Sequence, residues 1–270
     1  MKTTIKIFLL AFLTLVLSSC GVNDPFEFFD TTPPAPPTGI VVLNGDERVD
    51  LSWLQNREDD VAGYNIYSSF SYNGRYTLIG PSDDNYFVDF GVSNGSTYYY
   101  AVTAYDYNGN ESDLSYDVIY TTPRPEGYNQ SIFDYRNFPN NSGYTFNSYS
   151  VVSFDDDAAD FFFENYNGTF YLDVWDDTDI QDMGRTIDIY DVSVAPINGW
   201  STTKDAIAIE GHTYVLWTWD NHFAKVRISS ITNDRITFDW AFQLDEGNPL
   251  LKTKSITKKR NSIKRNTIRK

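Results

Sequence analysis

The stretch TYYYAVTAY, residues 97–105, decides the fold class of this chain. Successive side chains of a β-strand point to opposite faces of the sheet, so every second residue shares a face. In residues 97–105, four apolar or aromatic side chains therefore share one face, which is predicted to point inward: Tyr98, Tyr100, Val102 and Ala104. The run RVDLSWL, residues 48–54, has the same period, with Val49, Leu51 and Trp53 separated by Asp50 and Ser52. Both patterns predict strands with one buried face.

Short runs of this kind, separated by turn-forming residues, recur between residues 38 and 122. Seven of them are predicted as strands: 39–43, 48–54, 63–69, 76–79, 86–90, 97–105 and 115–120. Seven short strands with turns at this spacing are typical of an immunoglobulin-like β-sandwich.

The same region resembles the fibronectin type III family from end to end. The segments PPAPPTGI, VDLSW, DDVAGYNIY, YFVDF, GSTYYYAVTAYD and NGNES occur in the family's order. The resemblance implies that Tyr98 is the tyrosine-corner residue, whose hydroxyl bonds to backbone, and that Trp53 is the core tryptophan of the second strand. These roles concern folding, so the resemblance assigns a sandwich at 38–122 and no ligand.

The loop DYNGNE, residues 106–111, offers oxygen ligands around a glycine, which allows a calcium interpretation. Asp, Asn and Gly are also the residues that a tight hairpin loop needs for positive φ. Because the distant closing Glu of an EF-hand is missing, a structural turn is the favoured prediction.

A second β domain is predicted after a short linker. Proline and glycine return at 123–127 and mark the boundary between the first domain and a second one at 128–251. Asn167-Gly168 predicts a type I′ hairpin turn between two apolar-alternating runs. That hairpin has one core face, formed by Phe161, Phe163, Phe170, Leu172 and Val174.

Residues 235–244 alternate as cleanly as the hairpin. Their predicted inward side chains are Ile236, Phe238, Trp240, Phe242 and Leu244, and their outward ones are Thr237, Asp239, Ala241 and Gln243. The chain is therefore predicted to be all-β: a fibronectin type III immunoglobulin-like sandwich followed by a second antiparallel β-sandwich or barrel.

Haem capture is one alternative function for the second domain. The segment GHTYVLWTWDNHFAKVRISSI, followed by RITFDWAFQ, resembles the closing strands of haem-binding HmuY-like surface lipoproteins, and that resemblance implies ligation by two histidines. The chain has only His212 and His222. A two-residue turn at Asp220-Asn221 would place them on opposite sheet faces, and only a one-residue bulge would bring them to one face. No resident cofactor is predicted.

Carbohydrate capture is the other form of this alternative. Trp217 and Trp219 share one strand face, and sugar rings stack on such aromatic planes. Alternating tryptophans in a β domain bury so much area that a core role is favoured.

Two groups of aspartates offer hard ligands for calcium: Asp155, Asp156, Asp157 and Asp160, and then Asp173, Asp176, Asp177, Asp179 and Asp182. Charge runs at strand ends are usually solvated, so no metal site is predicted.

The N-terminus predicts a lipid anchor. Residues 1–19 have two lysines followed by an apolar run that is too short to span a bilayer, as in a signal peptide. The sequence LSSC at 17–20 resembles the bacterial lipobox, and the only cysteine of the chain, Cys20, stands where that motif is lipidated. Gly21 is not the Asp that favours inner-membrane retention, so the resemblance implies the outer membrane of a Gram-negative bacterium.

The flanks of the folded body are predicted to be a spacer on the N-terminal side and a disordered tail on the C-terminal side. Four prolines within 33–37 make the lipid-anchored segment 20–37 a semi-rigid spacer. Residues 252–270 carry nine basic and no acidic side chains and are predicted to be a disordered tail.

Composition and motifs favour a binding or structural role. With 37 acidic and 21 basic residues, the net charge of -16 disfavours nucleic acid as a partner. The sequence lacks a GxSxG elbow, an HExxH helix, a P-loop and Rossmann glycines, so no enzyme is predicted. The leading prediction is a non-catalytic, lipid-anchored cell-surface protein that presents its distal domain to a surface protein or glycan.

Overall fold

Antiparallel β-strands make up nearly all regular structure in the described part of the chain, which otherwise has one 3-10 turn at Pro139–Asn141. The computed structural model describes residues 30–117 and 119–251. The predicted signal peptide, Cys20, most of the spacer and the basic tail lie outside the described residues. Within these residues, no helix is long and apolar enough to cross a membrane.

The first sandwich has the seven predicted strands. They are β1 Thr38–Gly45, β2 Arg48–Leu54, β3 Val61–Ser69, β4 Thr77–Ser82, β5 Tyr86–Asp89, β6 Tyr98–Asp106 and β7 Ile119–Thr121. One sheet has the order β1-β2-β5 and the other β4-β3-β6-β7. The predicted all-β fold class is confirmed for this region.

Tyr98 and Trp53 occupy the positions that the resemblance implied. The Tyr98 hydroxyl accepts a hydrogen bond from the Ser93 backbone N–H at 2.9 Å, which ties the corner before β6 to the strand. Trp53 is buried between the sheets and meets Tyr64 edge to face at 5.2 Å between ring centroids. Such edge-to-face pairs add to the energy of area burial.

Asp106 organises the 106–111 loop as a turn. Its Oδ1 atom accepts hydrogen bonds from the Asn108 and Asn110 backbone N–H groups, at 2.9 and 2.8 Å. Burial alone would raise the pKa of Asp106, but these hydrogen bonds and that of the Asn110 side chain lower it overall. Gly109 takes a φ of 86°, as a tight loop requires.

The second domain contains ten strands in two five-stranded sheets. They are β8 Glu126–Phe133, β9 Gly143–Thr145, β10 Ser150–Val152, β11 Phe161–Tyr166, β12 Thr169–Asp173, β13 Asp179–Arg185, β14 Asp205–Ile207, β15 His212–Trp217, β16 Phe223–Ile231 and β17 Arg235–Phe242. The orders are β10-β9-β11-β12-β14 and β13-β15-β16-β17-β8. A core dominated by aromatic side chains separates the sheets, so this domain is a sandwich.

The Asn167-Gly168 hairpin and β17 present the predicted core faces. Phe163 pairs with Leu172 across the hairpin, and both are fully buried. Phe238 in β17 packs edge to face against Tyr144 at 5.3 Å between centroids. Asn167 and Gly168 both take positive φ, as a type I′ turn requires.

The outward face of β17 was predicted wrongly at two positions. Ala241 and Gln243 are buried, although the alternation places them outside the core. The reason is a second apolar layer on the outer face of the sheet, built from Val192, Ala195, Val215, Phe223 and Leu251. Because these residues come from distant parts of the chain, periodicity within β17 does not reveal them.

Candidate functional site

The loop between β15 and β16 is one residue longer than predicted. The Thr218 backbone N–H donates to the His222 carbonyl at 2.9 Å, which leaves Trp219, Asp220 and Asn221 as a three-residue loop. Asn221 takes a φ of 63°, the left-handed position that ends such loops. Strands β15 and β16 therefore pair with Trp217 directly opposite Phe223.

This register corrects the predicted placement of the histidines. In this register His212 and His222 lie on the same face of the sheet as the core residues Tyr214 and Leu216. They were predicted to lie on opposite faces. They stand at opposite ends of the hairpin, because His222 follows the loop and His212 begins β15. At ~3.3 Å per residue, this puts roughly 20 Å between the two positions, too far for both to ligate one iron.

Each histidine also has its own partner. Nδ1 of His212 lies 3.0 Å from Oδ2 of Asp182. Nε2 of His222 lies 3.2 Å from the Leu244 carbonyl, and its ring contacts Phe242 at 5.3 Å between centroids. These contacts are structural and leave the histidines separate, so the geometry does not form the two-histidine haem site.

Trp217 and Trp219 are exposed, which contradicts the favoured core role. The exposed fractions of their side chains are 38% and 57%. Trp217 points to the outer face of the sheet, where its ring stacks on Phe223 with 5.5 Å between centroids and 24° between planes. Trp200 from another loop contacts the same ring at 6.1 Å. The indole is thus held by two neighbouring aromatic rings, while 38% of the Trp217 side chain stays exposed to solvent.

Polar side chains flank the Trp217 ring on two sides. On one side, Asn221 Oδ1 accepts from the indole Nε1–H at 2.9 Å, and Asn221 Nδ2 donates to Glu246 at 3.3 Å. On the other side, Asp179 is directly opposite Trp217 in β13 and pairs with Lys204 Nζ at 2.9 Å. We call these residues, together with Trp219, the Trp217 surface.

The sequence pattern pointed to the two tryptophans and missed the polar residues around them. Asn221, Glu246, Asp179 and Lys204 come from four separate segments. Only the fold brings them to one edge, so neither spacing nor composition signals the group.

The aspartate groups divide into solvated and buried members. Asp155, Asp156, Asp157, Asp176 and Asp177 are exposed, as expected for charged residues near strand ends. Asp160 is only 3% exposed, and burial raises its pKa to about 7. Asp173 is half-buried and pairs with Asp205 on the neighbouring strand. Its partial burial, together with the charges of Glu164 and Asp205, raises its pKa to about 7 as well.

The segment between the two sandwiches is buried. Pro123, Arg124 and Pro125 have little exposed surface, although proline and glycine there predicted a linker. Backbone hydrogen bonds join this segment to both sandwiches. The Arg124 N–H donates to the carbonyl of Gly45 in the first sandwich, and the N–H of Phe242 in the second sandwich donates to the Pro125 carbonyl. The Gly95 N–H adds a bond to the Pro123 carbonyl at 2.9 Å.

A polar cluster lies beside this segment. The Glu126 carboxylate accepts hydrogen bonds from the Tyr128 and Tyr190 hydroxyls, at 2.7 and 2.8 Å. Burial raises the pKa of Glu126 and lowers that of Arg124 to about 10, against the mutual attraction of the two charges. Lys225 is fully buried nearby and donates to the Ile189 carbonyl at 2.6 Å.

A cleft of about 840 Å³ opens at the same junction. Its walls come from β1 and β2 on one side and from Glu126, Tyr128 and Tyr190 on the other. Residues of both sandwiches therefore line it.

Comparison with known proteins gives partial matches. No family model matches the chain. Over 100 residues, 37% of this chain, it is 42% identical to an amylopullulanase from Thermoanaerobacterium thermosulfurigenes, and the match spans only 5% of that enzyme. A fibronectin-type-III-like protein from Clostridium thermocellum is 27% identical, with 35% of this chain and 95% of that one covered and a TM-score of 0.29.

One solved structure covers more of this chain, at lower sequence identity. A DUF4466 family protein from Parabacteroides merdae is 11% identical, with 78% of this chain and 99% of that one covered and a TM-score of 0.42. The chain is thus similar to a fibronectin-type-III-like protein and to short regions of larger enzymes.

Proposed function

We propose that this chain is a non-catalytic envelope protein, anchored in the outer membrane by a lipid on Cys20, that presents a binding surface on its second sandwich. The spacer at 20–37 separates the folded body from the membrane. The first sandwich acts as a rigid support, and the second contacts a surface protein or glycan.

The buried junction at 123–125 is the observation that carries this proposal. An exposed linker would let the second sandwich swing freely, which is the ordinary behaviour of domains joined by flexible segments. Here the connecting backbone is hydrogen-bonded to both sandwiches and covered by side chains. A support that holds its partner domain in one orientation suits presentation of a surface.

The relatives support a non-catalytic role near carbohydrate. The relative from Thermoanaerobacterium thermosulfurigenes is named as an amylopullulanase, yet this chain matches only a twentieth of it. An alpha-amylase from Niallia circulans matches over 9% of its own length. Regions this small are the size of an accessory module within a large enzyme.

Ligand capture by the second sandwich is the second candidate function. The separation of His212 from His222 disfavours its haem version, because the two rings do not converge on one iron. Exposure of Trp217 favours its carbohydrate version, because an open indole ring bordered by hydrogen-bonding side chains suits a sugar ring.

Turnover assays test the non-catalytic part of the proposal. We expect the purified full-length protein, incubated with starch, pullulan or β-1,2-glucan, to release no reducing ends above a heat-denatured control. Release of reducing ends that persists after further purification, and disappears when Asp173 or Asp160 is replaced by Asn, would contradict it.

A further inference from the structure

We propose that the Trp217 surface binds a neutral glycan chain, with one sugar ring stacked on the Trp217 indole. This inference rests on the proposed function, since it names the ligand class for the surface that the protein presents.

The indole ring of Trp217 has the setting that sugar stacking requires. One face of the ring rests on Phe223, so the ring cannot rotate freely, and Trp200 limits its tilt from the side. Its Nε1–H is already bonded to Asn221, which fixes the ring in its plane. A flat apolar surface that is rigid before binding loses little conformational entropy when a sugar ring covers it.

The polar flanks match the hydroxyl groups of a sugar. Hydroxyl groups both donate and accept hydrogen bonds. The Trp217 surface offers acceptors on Asp179 and Glu246, donors on Lys204, and both on the Asn221 amide. Because they border the ring on two sides, hydroxyls on opposite edges of a stacked sugar would each find partners.

The charge of the surface favours a neutral ligand. Asp179 is balanced by Lys204 in a direct ion pair, which leaves Glu246 as the unbalanced charge at the rim. An anionic glycan would meet this carboxylate and the strongly acidic chain around it. Trp219, two residues further along in the adjoining loop, is also exposed and offers a second indole for a neighbouring sugar.

A protein partner is the less suitable occupant. Tryptophan also occurs at protein interfaces, where it lies in a dehydrated apolar centre ringed by less important contacts. The Trp217 indole instead donates to the Asn221 amide, and the cross-strand neighbour of Trp217 is the charged Asp179. A protein covering it would have to desolvate the Asp179–Lys204 pair, which costs more than leaving the pair in water.

Isothermal titration of the full-length protein with neutral hexasaccharides tests the proposal. The panel is maltohexaose, cellohexaose, mannohexaose and chitohexaose. We expect at least one to bind, and Trp217→Ala to weaken that binding about 30-fold or more, because truncating a central tryptophan removes most of its contact energy. Trp219→Ala should weaken binding by a smaller factor.

Two further variants separate a binding role from a folding role. Asn221→Gly removes the amide while keeping the positive φ of the loop, so it should weaken glycan binding without unfolding the hairpin. Tyr107→Ala, in a 77% exposed position on the first sandwich, should leave binding unchanged.

Binding that is equal in wild type and Trp217→Ala would overturn the proposal. So would the absence of any heat of binding at millimolar glycan, or a Trp217-dependent contact with a purified envelope protein and with none of the glycans. None of these results affects the proposed anchoring and support roles. Glycan cleavage would instead contradict the non-catalytic role, and a protein absent from the membrane fraction would contradict the anchoring.

Discussion

Replacing Cys20 with alanine is expected to move the protein from the membrane fraction to the soluble fraction almost completely. Each buried methylene of a lipid chain contributes ~0.8 kcal/mol to membrane attachment, so several chains hold a protein far more firmly than one. Without the thiol there is no attachment point for them, because the chain has a single cysteine. Fractionation of cells and incorporation of labelled palmitate measure the change.

The matched control for this experiment is Asn23→Ala, which leaves the lipobox at 17–20 intact. It should pellet with membranes and take up palmitate as wild type does, and globomycin should block processing in both. If Cys20→Ala still pellets with membranes, and wild type takes up no palmitate, the predicted anchor is wrong.

Replacing Asp160 with asparagine is expected to flatten the dependence of unfolding free energy on pH. Burial raises the pKa of Asp160 from its ordinary 3.8 to about 7. Between these values the folded state keeps a proton that the unfolded state releases, so stability falls as pH rises through this window. A shift of this size corresponds to about 4 kcal/mol, lost between pH 4 and pH 7.

Urea unfolding followed from pH 4 to pH 8 measures this effect. Asp160→Asn should remove about half of the decline, because Asp173, whose pKa is also raised to about 7, still contributes the rest. Asparagine stays neutral, and its amide oxygen can still accept the Phe146 N–H, which Asp160 Oδ2 accepts at 2.6 Å. Asp157→Asn, an exposed position in the same acidic run, should follow wild type. A wild-type stability that instead rises between pH 4 and pH 7, and a mutant profile parallel to it, would contradict the burial argument.

Local sequence signals predicted most of the fold. Alternation identified the strands of the first sandwich, and Asn167-Gly168 identified a hairpin whose Phe163 and Leu172 are both buried. These features depend on residues that are close in sequence, which is why a pattern can show them.

The register of the β15–β16 hairpin shows where local signals stop. Asp220-Asn221 is compatible with a two-residue turn, but Asn221 alone takes the left-handed conformation and Trp219 joins the loop. One residue of register changes which face every side chain occupies. The predicted separation of the histidines by face was therefore wrong, although their distance still opposes a shared iron.

Contacts between distant segments account for the remaining differences. Ala241 and Gln243 lie under an apolar layer built from other segments of the chain, and the junction at 123–125 is buried between the two sandwiches. The same limit applies to the Trp217 surface, whose polar groups meet only after folding. The sequence favoured a core role for Trp217 and gave no sign that its side chain stays partly exposed on the outer face of the sheet.

The central claim is that the two sandwiches are rigidly coupled. Double electron–electron resonance, which measures the distance between two spin labels, tests this claim directly. Because Cys20 is the only cysteine, the variants Cys20→Ser, Tyr107→Cys and Tyr166→Cys together give one label on each sandwich at exposed positions. A flexible Gly-Ser insertion after Thr122 provides the comparison. We expect a single narrow distance distribution that the insertion broadens; an equally broad distribution with and without the insertion would contradict the claim.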